Sequence, residues 1–179
     1  MKIETLEDLF VQELRDIYSA ENQITQALPE MIENARTPEL REAFEEHLQV
    51  TRGQLQRLDR IFTELGVSPK GKDCVGMEGI LDEGKEFMKN DTDDSVLEAG
   101  MIASAQKVEH YEIAAYGTVT AFAKMLGHDG AANLLHQSLE EEKETDRLLT
   151  EIAESSANLE ARDGDGEEEF EEDEEEDEK

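Results

Sequence analysis

Four glutamates occupy positions where the apolar side of a helix would normally carry leucine. They lie near the middle of long segments whose apolar residues recur at three- and four-residue steps: Glu21, Glu109, Glu112 and Glu142. A carboxylate buried alone is costly, so it needs a partner, a proton or a metal ion. Carboxylates that converge from facing helices are the arrangement that binds a pair of metal ions. The alternative is a cluster of protonated or salt-bridged core acids.

Four long helices are expected to carry these acids, at about 5–35, 37–65, 95–125 and 131–155. A further connection, 66–93, is too long for a turn between neighbouring helices and includes a short helix at about 77–88. A connection of this size suits a crossover that runs the length of a bundle. The fold class is therefore all-α, a four-helix bundle with a long crossover between bundle helices 2 and 3.

The ends of these helices are marked by residues that cap helices. Thr5 and Asp8 resemble a capping box, and Thr37 precedes Pro38 in the first turn of the second helix. Gly66 ends that helix, and residues 127–130 form a tight turn before the last one. The segments LDRIFTEL (58–65) and TDRLLTEI (145–152) are alike and 87 residues apart, while Glu21 and Glu109 are 88 apart. Both offsets suggest two related helix hairpins.

Projection onto ideal helices predicts that the acids meet. Glu21 and Glu142 lie within about 20° of the centre of their apolar stripes; Glu112 is central and Glu109 lies about 50° to one side. Measured along the axis at about 1.5 Å per residue, all four fall within one or two turns of the bundle's middle. Lysine and arginine are scarce on the inner faces, which favours a metal centre over neutralisation by internal cations.

The second helix contributes less clearly. Its inward residues at mid-height are Thr51 and Gln54, whereas His47 projects inward about 60° off centre and roughly a turn from the best level. His47 is either a metal ligand or a satisfied core histidine. Glu141 flanks Glu142 as an orienting or bridging carboxylate, and Tyr116 is placed to orient ligands; the alternative is that these neighbours only pack and cap. Hard carboxylates with one imidazole suit iron or manganese, with zinc as a further option.

The net charge of −30 excludes several partners. The chain has 47 acidic and 17 basic residues, of which 13 acidic residues and one basic residue lie in 163–179. Both the body and the tail are therefore acidic. We expect residues 1–157 to form the bundle and 158–179 a disordered acidic tail. An acidic body suits either a halophilic, high-salt proteome or a surface that attracts cations. Nucleic acid and anionic membranes are not expected partners, because no basic patch exists.

Cellular location is predicted from what the chain lacks. Cys74 is the only cysteine, so no disulfide framework or thiolate metal site is expected. The first ten residues, MKIETLEDLF, lack the apolar core of a signal peptide, and no stretch approaches the ~20 apolar residues of a membrane span. We therefore expect a cytoplasmic protein, and a homodimer in which paired bundles bury leftover apolar surface.

Four sequence blocks resemble the ferritin-like superfamily and, more closely, the YciE/YciF family of ferritin-like stress proteins. They are ELRDIYSAENQITQALPEM, HLQVTRGQLQRLDRIFTELG, AQKVEHYEIAAYGTV and LLHQSLEEEKETDRLL, within residues 3–155. The resemblance implies a di-iron carboxylate site and a ferroxidase that oxidises Fe(II) with dioxygen or peroxide. It also implies that Glu21, Glu109, Glu112 and Glu142 bind the metals together with His47.

This sequence departs from the ferritin-like pattern on the second helix. Glu-x-x-His pairs are absent from the second and fourth helices, and Val50 stands where the resemblance leads us to expect an acid. The departure weakens one metal position and leaves three functional hypotheses. The first is a di-metal oxidase, and the second is a non-enzymatic stress or interaction protein with a degenerate site. The third is a DNA protector of the Dps type, which the acidic charge disfavours.

Overall fold

The fold is known from a computed structural model, which describes residues 2–163. It contains six α-helices and one π-helical segment: α1 (Leu6–Asn34), α2 (Pro38–Leu65), α3 (Val75–Met88), α4 (Asp94–Leu126), α5 (Asp129–Ile152), the π-helical segment Ala153–Ala157, and α6 (Asn158–Asp163). No strand occurs among these residues. The predicted all-α class is confirmed.

The helix ends follow the local signals in the sequence. The Thr5 hydroxyl accepts a hydrogen bond from the Asp8 N–H at 3.1 Å, and the Asp8 carboxylate accepts one from the Thr5 N–H at 3.0 Å. This reciprocal pair is the predicted capping box. Gly66 ends α2 with φ 67° and Gly127 ends α4 with φ 80°, both in the left-handed region that favours glycine. These ends need only local chemistry, which is why the sequence predicts them.

The four long helices form a closed ring in which α1 packs on α2 and α4, and α5 also packs on α2 and α4. His128, in the turn after α4, lies 3.1 Å from Glu7 at the start of α1. At the opposite end, Arg36 after α1 donates to Asp94 at the start of α4, at 2.8 Å. α4 therefore runs antiparallel to α1, and the connection between α2 and α4 spans the length of the bundle. The predicted crossover is confirmed.

Helix α3 lies within that crossover and packs against α1 and α4. The contact with α4 is close at its C-terminal end, where the Phe87 ring lies against Gly100. A Cβ on Gly100 would overlap that ring, so a larger residue would force the Phe87 ring or α3 to move. The crossover is therefore packed against the bundle, since its helix covers the groove between α1 and α4.

The apolar core is divided into two clusters. One contains residues from the C-terminal half of α1 and the N-terminal half of α2, such as Ile24, Leu28 and Phe44. The other contains residues from the opposite end, such as Phe10, Phe62 and Tyr116. Between them lies a layer of buried polar side chains from all four long helices: Glu21, His47, Thr51, Gln54, Glu109, Glu112 and Glu142. The fold therefore places the unusual acids at mid-bundle, sealed by apolar side chains on both sides.

The C-terminal part of α5 leads through the π-helical segment into α6, which contacts α4. Helical structure thus continues six residues past position 157, where the boundary of the bundle was predicted, to Asp163. The remainder of the predicted tail, 164–179, lies outside the described residues. Within the described part of the chain, every helix is too short or too polar to cross a membrane.

Candidate metal centre

Helix α1 supplies Glu21, which has no exposed surface. Its neighbours one turn away, Ile17 and Ile24, belong to the apolar face of the helix, so the helical period carries the carboxylate inward with them. Tyr116 on α4 donates a hydrogen bond from its hydroxyl to Glu21 Oε1. Glu21 Oε2 has no hydrogen-bond partner among the described residues. The predicted orienting role of Tyr116 is therefore seen in the structure, while one oxygen of Glu21 stays available.

Helix α4 supplies two acids one turn apart. Glu109 is 0 % exposed and Glu112 is 1 % exposed. Neither carboxylate receives a hydrogen bond from an N–H or hydroxyl group of a described residue, although each has two oxygens that would normally be satisfied when buried. Glu109 instead meets a second acid, Glu142, with which it can share a proton. Two adjacent carboxylates without donors are costly in a protein core unless protons or cations neutralise them.

Helix α2 supplies His47 and Gln54. His47 is 4 % exposed, with Nδ1 lying 3.3 Å from Glu109 Oε1 and Nε2 lying 3.8 Å from Glu142 Oε2. The sequence projection put this imidazole about a turn from the best level, yet its two ring nitrogens reach Glu109 and Glu142. Of its two predicted roles, the geometry favours that of a ligand.

Helix α5 supplies Glu142, which is fully buried and accepts a hydrogen bond from the Gln54 amide. Its neighbour Glu141 points elsewhere, into an ion pair with Arg57, and also accepts from Gln137 at 3.0 Å. The predicted bridging role of Glu141 is not visible in this arrangement. Glu141 instead holds Arg57, which also donates to the Ser138 hydroxyl at 3.1 Å.

Four of these residues form one compact group. One possible ligand atom from each of His47, Glu109, Glu112 and Glu142 lies within 4.8 Å of the others. Glu21 lies outside this group but interacts electrostatically with it: repulsion from Glu142 raises its pKa, and its own charge raises the pKa of Glu112. The structure thus brings together four of the six predicted site residues, keeps Glu21 beside them, and leaves Glu141 at the margin.

The protonation of the site follows from its burial. Burial first, and mutual repulsion second, raise the pKa values of Glu21, Glu109 and Glu112 well above the ordinary range. Burial raises the pKa of Glu142 to about 7 and lowers the pKa of His47 to about 4. At neutral pH the imidazole is therefore uncharged, with a lone pair to donate, and Glu142 is near the midpoint of its titration. Burial favours the protonated forms of the other three acids until a cation replaces the protons.

The donor set fits a divalent transition metal. Oxygens of Glu21, Glu109, Glu112 and Glu142, and Nε2 of His47, are all buried and lack hydrogen-bond partners within residues 2–163. Arg57 is the positive charge that lowers the pKa of both Glu21 and Glu142, and it is already paired with Glu141. Hard carboxylate oxygens with one neutral imidazole are a ligand set for iron, manganese or zinc.

Gln54 is the part of the site that sequence reasoning did not identify. It was recognised as inward-facing, yet its contact with Glu142 was not predicted. A signal was present: Gln54 and Glu142 are 88 residues apart, the same offset that relates Glu21 to Glu109. If the two hairpins are related copies, a neutral amide stands on α2 where its counterpart on α5 carries an acid.

Comparison with known proteins identifies the family. Residues 5–162 match the family model described as a domain of unknown function (DUF892). The chain is 43% identical over 162 residues to protein YciF of Escherichia coli strain K12, spanning 90% of this chain and 98% of that protein. The chain therefore belongs to the DUF892 family, the family of YciF, as the sequence blocks predicted.

Solved structures agree with this assignment. The crystal structure of the E. coli stress protein YciF superposes with a TM-score of 0.84, covering 87% of this chain and 99% of that one. A protein of Rhodopseudomonas palustris, described as a putative structural protein, is 46% identical and gives a TM-score of 0.81 over 83% of this chain and 95% of its own. A Xanthomonas campestris protein at 23% identity, covering 89% and 100% of the two chains with a TM-score of 0.70, shares the fold.

Proposed function

We propose that this protein is a ferritin-like metal protein that binds two iron ions at mid-bundle and acts as a ferroxidase. The observation that carries the proposal is the buried group of His47, Glu109, Glu112 and Glu142, whose possible ligand atoms lie within 4.8 Å of one another. Bound iron supplies one-electron redox chemistry between Fe(II) and Fe(III), with dioxygen or peroxide as the electron acceptor. The protein's own residues provide binding, orientation and exclusion of water.

The two metal positions are proposed to be unequal. His47, Glu109, Glu112 and Glu142 form a complete ligand group for the first ion. The second position relies on Glu21, together with carboxylates shared from the same group. On α2 it meets only the Gln54 amide, because Val50 is not an acid. A neutral amide oxygen attracts a divalent cation less than a carboxylate does, so we expect the second ion to bind more weakly.

The surrounding residues hold the ligands in place. The Tyr116 hydroxyl fixes one oxygen of Glu21, which leaves the other oxygen for a metal. The Gln54 amide fixes one oxygen of Glu142 in the same way. Such orienting partners typically change metal affinity by about 10–100-fold when they are removed. The apolar clusters on both sides keep bulk water away from the acids.

A test uses protein purified without chelators and loaded with Fe(II) under nitrogen. We expect bound iron by elemental analysis, and oxidation to Fe(III) after exposure to dioxygen or peroxide, followed by absorbance. Glu142→Gln should lose both, whereas Glu140→Gln, which changes an exposed acid two residues away, should retain both. If neither wild type nor control binds metal after iron loading, the proposed site is wrong.

A second candidate function is a non-enzymatic stress protein with a degenerate metal site. The amide at Gln54 and the apolar Val50 favour it, because they leave α2 without a carboxylate at the second position. Relatives described as a stress protein and as a putative structural protein fit this reading as well. Metal binding at a single position without iron oxidation by either oxidant would support it. The predicted homodimer and cytoplasmic location stay predictions.

A further inference from the structure

Two apolar cavities lie beneath α3, one with charged residues at its rim and one beside the metal centre. The outer cavity is lined by α1, α3 and α4, with Glu30 and Lys85 among its residues. The inner cavity is lined partly by His47 and Glu109. Both share four apolar side chains: Ala27, Met31, Leu81 and Val108. These four shared residues place the two cavities side by side, and we call the adjoining pair the passage.

Polar groups occur mainly at the two ends of this passage. At the outer end Glu30 is exposed and Lys85 is half-buried, so their charges can reach solvent. Ser104 also lines the outer cavity, but its hydroxyl donates to the Gly100 carbonyl at 2.9 Å. At the inner end, the polar residues of the lining are His47 and Glu109, two residues of the metal centre. Between these ends the walls are apolar.

An apolar passage selects what can travel through it. A hydrated ferrous ion would lose its water shell without gaining ligands, which is very costly in an apolar environment. Hydrogen peroxide would likewise leave water without new hydrogen-bond partners. A small apolar molecule has no such cost, and dry apolar cavities in proteins do take up small apolar guests such as xenon.

We propose that dioxygen reaches the metal centre through this passage, and that α3 forms its roof. The proposal rests on the proposed function for its purpose, and it selects dioxygen from the two oxidants. Leu81 is the decisive residue because it lines both cavities and belongs to α3, which carries none of the metal ligands. It is half-buried, so its size can be changed without opening the bundle core.

The first test needs no metal and no activity. Crystals of the full, metal-free protein are exposed to xenon under pressure, and anomalous diffraction locates the bound atoms. We expect xenon against Leu81, Ala27 and Val108 in the wild type, and its loss in Leu81→Phe. The absence of xenon from the wild-type passage would overturn the proposal, whatever the protein does with iron.

The second test compares two oxidants on Fe(II)-loaded protein by stopped-flow absorbance. Leu81→Phe should slow oxidation by dioxygen severalfold, while metal affinity and melting temperature stay at wild-type values. The matched control is Leu134→Phe, a half-buried leucine packed on the other apolar cluster, and it should oxidise iron at the wild-type rate. Equal slowing of both variants, or an unchanged rate in Leu81→Phe, would overturn the passage. If wild type oxidises no iron with either oxidant, the ferroxidase function fails, and the xenon result still decides whether the passage exists.

Discussion

His47 Nδ1 on α2 lies 3.3 Å from Glu109 Oε1 on α4, inside the bundle and out of contact with solvent. Burial lowers the pKa of the imidazole to about 4 and raises that of the carboxyl well above its ordinary range. In the metal-free protein the imidazole is therefore neutral at pH 7, and burial favours the protonated form of the Glu109 carboxyl, so the two groups do not form an ion pair. A metal ion can bind this pair by displacing the proton of the carboxyl and accepting the lone pair of the neutral imidazole.

The first prediction concerns His47. Replacing it with alanine removes the one nitrogen donor of the group, so we expect the affinity for Fe(II) or Mn(II) to fall by more than the ~10–100-fold typical of losing an orienting partner. Isothermal titration calorimetry under nitrogen measures the change. The control is His136→Ala, because His136 is exposed and pairs only with a neighbouring glutamate on its own helix. Equal affinities for His47→Ala and wild type would remove His47 from the site.

The second prediction concerns Gln54, the amide beside Glu142. Gln54→Glu keeps the size of the side chain and adds a carboxylate on the helix that lacks one. We expect the second metal ion to bind more tightly, and the metal-free protein to lose about 1–3 kcal/mol of unfolding free energy, because another buried group lacks a partner. Metal titration and denaturant unfolding give the two quantities.

Gln56→Glu is the matched control for this change, since Gln56 lies on the exposed side of the same helix. It should alter neither the metal titration nor the unfolding curve appreciably. If Gln54→Glu leaves both the stoichiometry and the affinity of metal binding at wild-type values, the second metal position is not where we place it.

The third prediction is that the metal-free protein loses stability as pH rises above about 6.5. The acids Glu21, Glu109, Glu112 and Glu142 have raised pKa values in the folded state, so folding favours their protonated forms. Their contribution is complete below the unfolded value of 4.5 and is lost as pH rises through the folded values. His47 acts in the opposite direction, but only between its folded value of about 4 and its unfolded value of 6.5.

Melting temperatures recorded from pH 6.5 to about 8.5 report mainly on the acids, because folded His47 is neutral throughout this range and unfolded His47, with a pKa of 6.5, loses most of its remaining charge by about pH 7.5. We expect the melting temperature to decline as pH rises, and to decline less in Glu142→Gln, since the pKa of Glu142, at about 7, falls within this pH range. Saturating Mn(II) should reverse the decline, since a bound cation replaces the protons. A melting temperature that rises with pH in the metal-free protein would contradict the assigned protonation.

The fourth prediction concerns the net charge of −30. Salt screens repulsion between exposed charges, with a screening length of ~10 Å at 0.1 M and ~3 Å at 1 M. We expect the melting temperature to rise as KCl increases over this range, because screening weakens the repulsion among the acidic side chains. Sucrose at the same osmolality is the control, because it stabilises compact proteins without screening charge. An equal or larger rise in sucrose would show that screening is not the cause.

Much of the fold was predictable because its signals are local. Thr5, Thr37, Gly66 and Gly127 cap or end their helices by chemistry within a few residues, and the structure places the helix ends there. The four inward glutamates follow from helical periodicity in the same way. The short helix in the crossover was also expected, although its packing over the groove between α1 and α4 was not.

The sequence by itself determined which side of each helix faces inward, since a helix turns by a constant angle per residue. It therefore identified Glu21, Glu109, Glu112 and Glu142 as buried acids and predicted a metal site at the middle of the bundle. The tertiary structure decided how far each helix is shifted along its axis relative to its neighbours. That shift depends on side-chain packing and on the crossover rather than on any single helix. That packing brings the His47 ring within reach of the acids, sets Gln54 against Glu142, and leaves Glu141 beside Arg57.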